Sequence, residues 1–316
     1  MPPLSHSVDC SGCSLAVSEY PAQGRAKGVV VAGHAMMANR RTLDRPRGRG
    51  LASTLAEAGL HVYTFDLRGH GQSSTAGNSH WNYDEIVRGD IPAVVDWVRA
   101  RHPALRLGLL GHSLTGHASL FWLGLTPRAP VDALVLYATN LWLPQFEPTN
   151  WVWFRRRAVL FIWELLCKPL GYFPARRLRV GSEDVPLSFV ADLRRWARTG
   201  SCICATDGVD YLSLRDNVRQ PVLAITGEKD RFLCPLEYCQ QFLAPVPDHR
   251  IYCAPNANHM TVVTRELSRP AWEHTAQWLV EQLDRPLSRQ MEESVTSKNQ
   301  QWRRDKKKTA DDFQTQ

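Results

Sequence analysis

Three residues in the chain have the chemical types of a nucleophile, a base and an acid, and each follows a run that reads as a strand. Ser113 stands in Gly111-His112-Ser113-Leu114-Thr115-Gly116, directly after the apolar run 105–111. Asp230 closes Gly227-Glu228-Lys229-Asp230 after the run 221–227, and His259 closes Asn258-His259 after the run 249–254. A serine hydroxyl is a poor nucleophile near neutral pH and needs a base beside it. A histidine can take that proton and return it to a leaving group, while a carboxylate fixes the imidazole tautomer. The pattern therefore points to acyl transfer with Ser113 attacking, His259 as base and then acid, and Asp230 orienting. Glu228 is the alternative acid. The segment after 131–138 offers only Thr139 and Asn140, neither a carboxylate.

Such a serine also needs donors for the oxygen that becomes negative. At a sharp strand-to-helix turn the N–H of the next residue, Leu114, lies at a helix start where it can hold an anion. A second donor is expected from the loop after the run 28–33, Gly33-His34-Ala35-Met36-Met37, with the Met36 N–H favoured over that of Ala35. His34 is expected to order that loop rather than to do chemistry.

The elements that must carry these residues follow from periodicity. GVVVAG (28–33) is a continuous apolar run, as in a strand buried on both faces. A helix is expected over 48–59, a strand over 60–66, and a helix over 83–102. A strand over 105–111, a helix over 114–125 and a strand over 131–138 follow, then strands at 221–227 and 249–254 around a helix at 235–243. A helix over 271–283 closes the series, and two alternating stretches near 5–9 and 14–20 predict an opening hairpin. Alternation of this kind predicts βαβ units and a mostly parallel, doubly wound sheet.

One segment interrupts the alternation. Residues 141–205 read as helical and carry five tryptophans, at 142, 151, 153, 163 and 196. They also carry ten Lys/Arg against five Asp/Glu, most of the formal net charge of +7. An insertion between core strands lies where loops build the site, so it is expected to be a helical lid. The expected organisation is core over 1–140, lid over 141–205, core again over 206–286 and a flexible tail over 287–316. The lid tryptophans suit a substrate wall, a membrane-contact belt or the core of a small cap, and its arginines would suit an anionic group on the substrate.

At 44% hydrophobic and 22% charged, 316 residues can bury a sizeable core. No apolar run reaches the ~18 residues of a spanning helix, and the start shows no secretory leader. Eight cysteines without a leader predict reduced thiols in a cytoplasm. Cys10-Ser-Gly-Cys13 reads better as a tight turn between two strands than as half of a metal site, and no metal or organic cofactor is expected. Asp66 and Arg68 are expected to form a structural ion pair. The Arg-Arg-Asp-Lys-Lys-Lys run at 303–308 has no nucleic-acid motif beside it.

Over about residues 15–285 the chain resembles the α/β-hydrolase family. Gly33-His34-Ala35, DLRGHGQS at 66–73, GHSLTG at 111–116, GEKD at 227–230 and Asn258-His259 carry the resemblance. The family's elbow reads G-x-S-x-G. Here Thr115 takes the last place, and Ala35 stands where relatives have glycine. The resemblance implies a lidded hydrolase that cleaves a carboxylic ester or thioester with an apolar portion through an acyl-enzyme. An acyltransferase on the same scaffold, and a non-catalytic binding protein that keeps the fold, are the competing expectations.

Overall fold

A computed structural model describes residues 3–75, 80–147 and 149–285; the expected tail and the basic run at 303–308 lie outside them. Strands β1 (Leu4–Cys10) and β2 (Cys13–Tyr20) form the expected hairpin, turning at Ser11-Gly12 with Gly12 at positive φ. Then come β3 (Gly28–Gly33), α1 (Leu51–Glu57), β4 (Leu60–Phe65), α2 (Tyr83–Glu85), α3 (Ile91–Arg101), β5 (Leu107–His112), α4 (Leu114–Leu125) and β6 (Ala133–Tyr137). The insertion holds α5 (Asn150–Cys167), the two-residue strands β7 (Tyr172–Phe173) and β8 (Val185–Pro186), and α6 (Leu187–Thr199). The core resumes with β9 (Val222–Gly227), α7 (Leu236–Leu243), β10 (His249–Ala254), α8 (Thr261–Thr264) and α9 (Arg269–Leu283).

Eight strands form one sheet in the order β1-β2-β4-β3-β5-β6-β9-β10. Pairing is parallel from β4 through β10, and β2 runs antiparallel to both β1 and β4. Every residue of β3, β5, β6 and β9 is buried, whereas the edge strands β1 and β10 alternate or stay half-exposed. Apolar side chains on both faces explain why the central strands read as unbroken hydrophobic runs. The chain winds outward from β3 in both directions, so β3 and β5 flank a switch point, and the loops at their carboxyl ends are free to build a pocket.

Two expectations are corrected. The single helix over 83–102 is instead α2, one wide π turn at Ile86–Asp90, and α3. Pro92 in the first turn of α3 has no N–H to continue the ladder, and its ring would press on the carbonyl of Arg88. The wide turn also receives Arg68, since a Cβ on Gly89 would lie 2.7 Å from its guanidinium. Nor do Asp66 and Arg68 pair with each other. Buried Asp66 accepts from the Arg40 guanidinium and backbone N–H, while Arg68 Nε donates to buried Asp90 at 2.7 Å. Both residues lie beyond the end of β4, where the chain has left the strand, and their partners at 40 and 90 come from distant segments that sequence proximity does not reveal. The same Arg68 lies 3.3 Å from Cys10 Sγ. Cys10, Cys13 and Asp90 thus surround a guanidinium, and burial pushes the Cys10 thiol up to about 12.

Buried histidines tie the core to acidity. His112 and His117 are both buried, and burial lowers each to about 3. Unfolded histidine titrates near ~6.5. Between these values the unfolded chain binds the extra protons, so stability falls as pH drops below about 6.5, by about 1.4 kcal/mol per unit for each histidine. Urea-unfolding free energies measured from about pH 7 to about pH 4 should show this slope. His117→Gln should reduce it by about one proton's worth.

Candidate active site

Ser113 occupies the step from β5 to α4 with φ 51 and ψ −106. A non-glycine residue at positive φ costs on the order of 1–3 kcal/mol and persists only where its surroundings demand it. Here the Ser113 N–H donates to the Tyr137 carbonyl on β6 at 2.8 Å. The strand and helix also approach too closely for side chains. A Cβ on Gly111 would lie 2.4 Å from the Gly116 nitrogen, and one on Gly116 would lie 2.1 Å from Thr139 Oγ1.

Thr115, which stands where the G-x-S-x-G pattern has glycine, points the other way. Its methyl fills the space beside Gly33, where a Cβ would lie only 2.2 Å from Thr115 Cγ2. Its hydroxyl donates to the His34 carbonyl at 2.6 Å. The bulk at 115 is therefore received by the glycine that ends β3, and the threonine gains a bond to the loop expected to supply the second oxyanion donor. His34 is fully buried, and burial lowers it well below its usual range, so its ring is neutral. Nδ1 donates to the Ala35 carbonyl at 2.8 Å and Nε2 accepts from the Leu67 N–H at 3.1 Å. The expectation that His34 orders the loop agrees with these bonds. Met36 and Leu114 both line the cavity described below. Among the described residues neither backbone N–H has an acceptor.

On the far side of β5, Asp230 and His259 come together. His259 Nδ1 lies 2.7 Å from Asp230 Oδ2, and the other carboxylate oxygen accepts from the Leu233 N–H. Asp230 is 4% exposed. Glu228, the alternative acid, instead accepts from the Asn256 N–H at 2.8 Å. Gly227 allows the two loops to meet, because a Cβ there would lie 2.5 Å from the Ala257 carbonyl oxygen. His112 adds a contact that its sequence position did not single out. Its Nε2 donates to the His259 carbonyl at 2.9 Å, tethering the histidine loop to the strand that ends in the serine.

Ser113 and His259 line one cavity of about 290 Å³. Among the described residues no hydrogen bond joins their side chains; such contacts are often loose until substrate binds. The walls are mainly apolar, with Leu160, Trp163, Val180, Phe189 and Trp196 from the insertion facing Ala35, Met36 and Leu114 from the core. Among the described residues no Asp, Glu, Lys or Arg lines the cavity, so the insertion's arginines stand elsewhere. Asn140 reaches the wall with its Nδ2 buried and without a partner among the described residues. The insertion is bonded to the loops that follow β3 and β9. Ser182 N–H donates to the Met37 carbonyl at 2.8 Å, and buried Arg156 bonds Glu147 and the Phe232 carbonyl beside the acid loop.

Comparison with known proteins points the same way. The family described as serine aminopeptidase, S33, matches residues 24–170, just under half of the chain. The human protein ABHD12B is 36% identical over 97 residues, which are 29% of this chain and 25% of that protein. The match thus spans about a quarter of that relative's length. A soluble variant of monoglyceride lipase from Saccharomyces cerevisiae, in complex with a substrate analog, superposes with a TM-score of 0.67 at 16% identity, covering 91% of this chain and 97% of that one. DcsB in complex with its substrate analogue gives 0.64 at 16% identity, covering 89% and 99%. Est1E from Butyrivibrio proteoclasticus with ferulic acid bound gives 0.61 at 16% identity, covering 88% and 98%.

The Gly33–Thr115 contact is directly testable. Gly33→Ala should cost about 1–3 kcal/mol through overpacking. Gly33→Ala combined with Thr115→Gly should recover most of that stability, measured by thermal unfolding. Simple addition of the two single effects would show that the residues are not packed as described.

Proposed function

We propose that this chain, which has the α/β-hydrolase fold, is a serine hydrolase of carboxylic esters or thioesters. The supporting observation is the convergence on one cavity of a serine at positive φ and a histidine bonded to a buried carboxylate. Ser113 Oγ attacks the acyl carbon as His259 Nε2 takes its proton. Asp230 holds the opposite N–H and stabilises the imidazolium. The Leu114 and Met36 amides receive the oxyanion of the tetrahedral intermediate. Collapse expels the alcohol or thiol, protonated by His259, and leaves an acyl-Ser113 ester. Water, deprotonated by His259, then attacks that ester and releases the acid and the serine.

Specificity follows from the walls. An apolar cavity of this size suits an acyl or aromatic group, and Asn140 Nδ2 can donate to a polar oxygen of the substrate. The family description names an aminopeptidase, yet a free α-ammonium group needs an anionic partner, and no carboxylate is among the described residues that line the cavity. That favours esters, as does the monoglyceride lipase among the structural relatives. The insertion over 141–205 serves as the lid of this site. All eight cysteines are free thiols, which fits a cytoplasmic setting.

Ser113→Ala should lower turnover of p-nitrophenyl esters by roughly 10⁴-fold or more and abolish labelling by a fluorophosphonate probe. Equal labelling of wild type and variant would refute the assignment of the nucleophile.

A further inference from the structure

The insertion turns a second apolar face outward. Ten of the thirteen exposed large hydrophobic side chains among the described residues fall within 151–180. On α5 they are Trp151, Phe154, Phe161, Ile162 and Leu165, with Leu166 at the margin. Their offsets from Trp151 of three, ten, eleven and fourteen residues place them on one side of a helix. The inward side is accounted for by Arg156, Leu160 and Cys167, which are buried, and by Trp163, which lines the cavity. The helix is thus apolar on two opposite sides, and only one has a partner among the described residues. Trp151 and Phe154 lie with rings stacked at 6.1 Å, 67% and 63% exposed. The exposed apolar area is on the order of 1,000 Å², above the ~300–600 Å² of the largest patch on an ordinary monomer.

Charge identifies what this face fits. Residues 151–180 contain seven Lys/Arg and a single acid, Glu164, which bonds to Arg194. Arg155, Arg157, Lys168, Arg176, Arg177 and Arg179 are exposed. A second copy of the chain would oppose like charges across the contact. A bilayer containing anionic lipid offers hydrocarbon to the aromatics and phosphate or carboxylate to the cations. No helix among the described residues is long and apolar enough to cross a membrane, so the helix would lie in the interface plane.

We infer that the outer face of α5 and the basic loop after it dock on an anionic lipid surface. Docking does not depend on the catalytic reading. A second consequence does rest on that reading, and it concerns where substrate enters. Val180, in the basic loop after α5, is 62% exposed and also lines the cavity that holds Ser113. The site therefore opens beside the docked surface and receives acyl esters of membrane lipids.

The test uses the full chain and flotation with phosphatidylcholine vesicles, with or without phosphatidylserine at about 30 mol%. Wild type and Ser113→Ala should float equally with the anionic vesicles at about 0.15 M salt, and less with phosphatidylcholine alone. The triple variant Trp151→Ser/Phe154→Ser/Leu165→Ser should lose roughly tenfold or more in partitioning with its melting temperature retained. Arg176→Glu/Arg177→Glu should lose binding only to the anionic vesicles. On a long-chain ester held in vesicles the triple variant should turn over more slowly, and on a soluble short ester at the wild-type rate. Failure of wild type to float with anionic vesicles even at low salt would overturn the inference. So would flotation of the triple variant at the wild-type level, or a dimer that the triple variant dissociates without any vesicle binding. If Ser113→Ala keeps ester turnover yet floats, the catalytic reading fails and the docking surface stands.

Discussion

The close passage of β5 against the start of α4 is the constraint on which the rest of the molecule depends. Ser113 sits there at φ 51, a conformation that an isolated serine avoids. Its neighbours impose it. Gly111 and Gly116 remove the side chains that would separate strand from helix, and the Ser113 N–H is pinned to β6. Once the backbone turns this way, Oγ faces the carboxyl ends of the parallel strands, where the insertion and the long loops converge. The Leu114 amide is left at the first turn of α4 with no acceptor among the described residues. Both follow from one local geometry.

Thr115 shows how the elbow departs from the G-x-S-x-G pattern without opening. Glycine at this place would leave a gap beside β3, and threonine at this place would clash with any larger residue at 33. Threonine against Gly33 fills the space and adds a hydroxyl bond to the His34 carbonyl. His34 in turn bonds the loops that follow β3 and β4. A packing solution and a positioning solution therefore share one side chain. On the other flank, His112 performs a comparable task for the His259 loop. The buried imidazoles at 34 and 112 stay neutral because burial disfavours their charged forms. They can thus connect backbone segments without placing a charge beside the pocket.

The insertion answers two opposing demands. Its inner surface lines the cavity with Ser113 and is held there by Arg156 and the 181–183 backbone through bonds to the loops near Asp230 and Met37. Its outer surface keeps aromatic and aliphatic residues in solvent, which a protein without a partner for them tolerates poorly. The same tryptophan-rich pattern in the sequence serves both sides. Periodicity showed that α5 is apolar, but a helix apolar on two sides does not reveal which residues belong to the cavity.

Much of this was already legible along the chain. Unbroken β-branched runs mark the central strands because both of their faces are covered. A serine, an aspartate and a histidine stand just past the ends of three such runs, and parallel strands bring those ends to one edge of the sheet. Other contacts were not legible, because they join residues distant in sequence through space. Asp66 binds Arg40 rather than Arg68, Asp90 takes Arg68, Pro92 and the bulk of Arg68 break the helix expected over 83–102, and His112 reaches the His259 backbone. Periodicity and turn residues are local properties, so the order of strands and helices and the chemical types at their ends can be read along the chain. Which charges pair, how Gly33 makes room for Thr115, and which side of α5 faces solvent depend on packing and burial, and so on the neighbours that folding supplies.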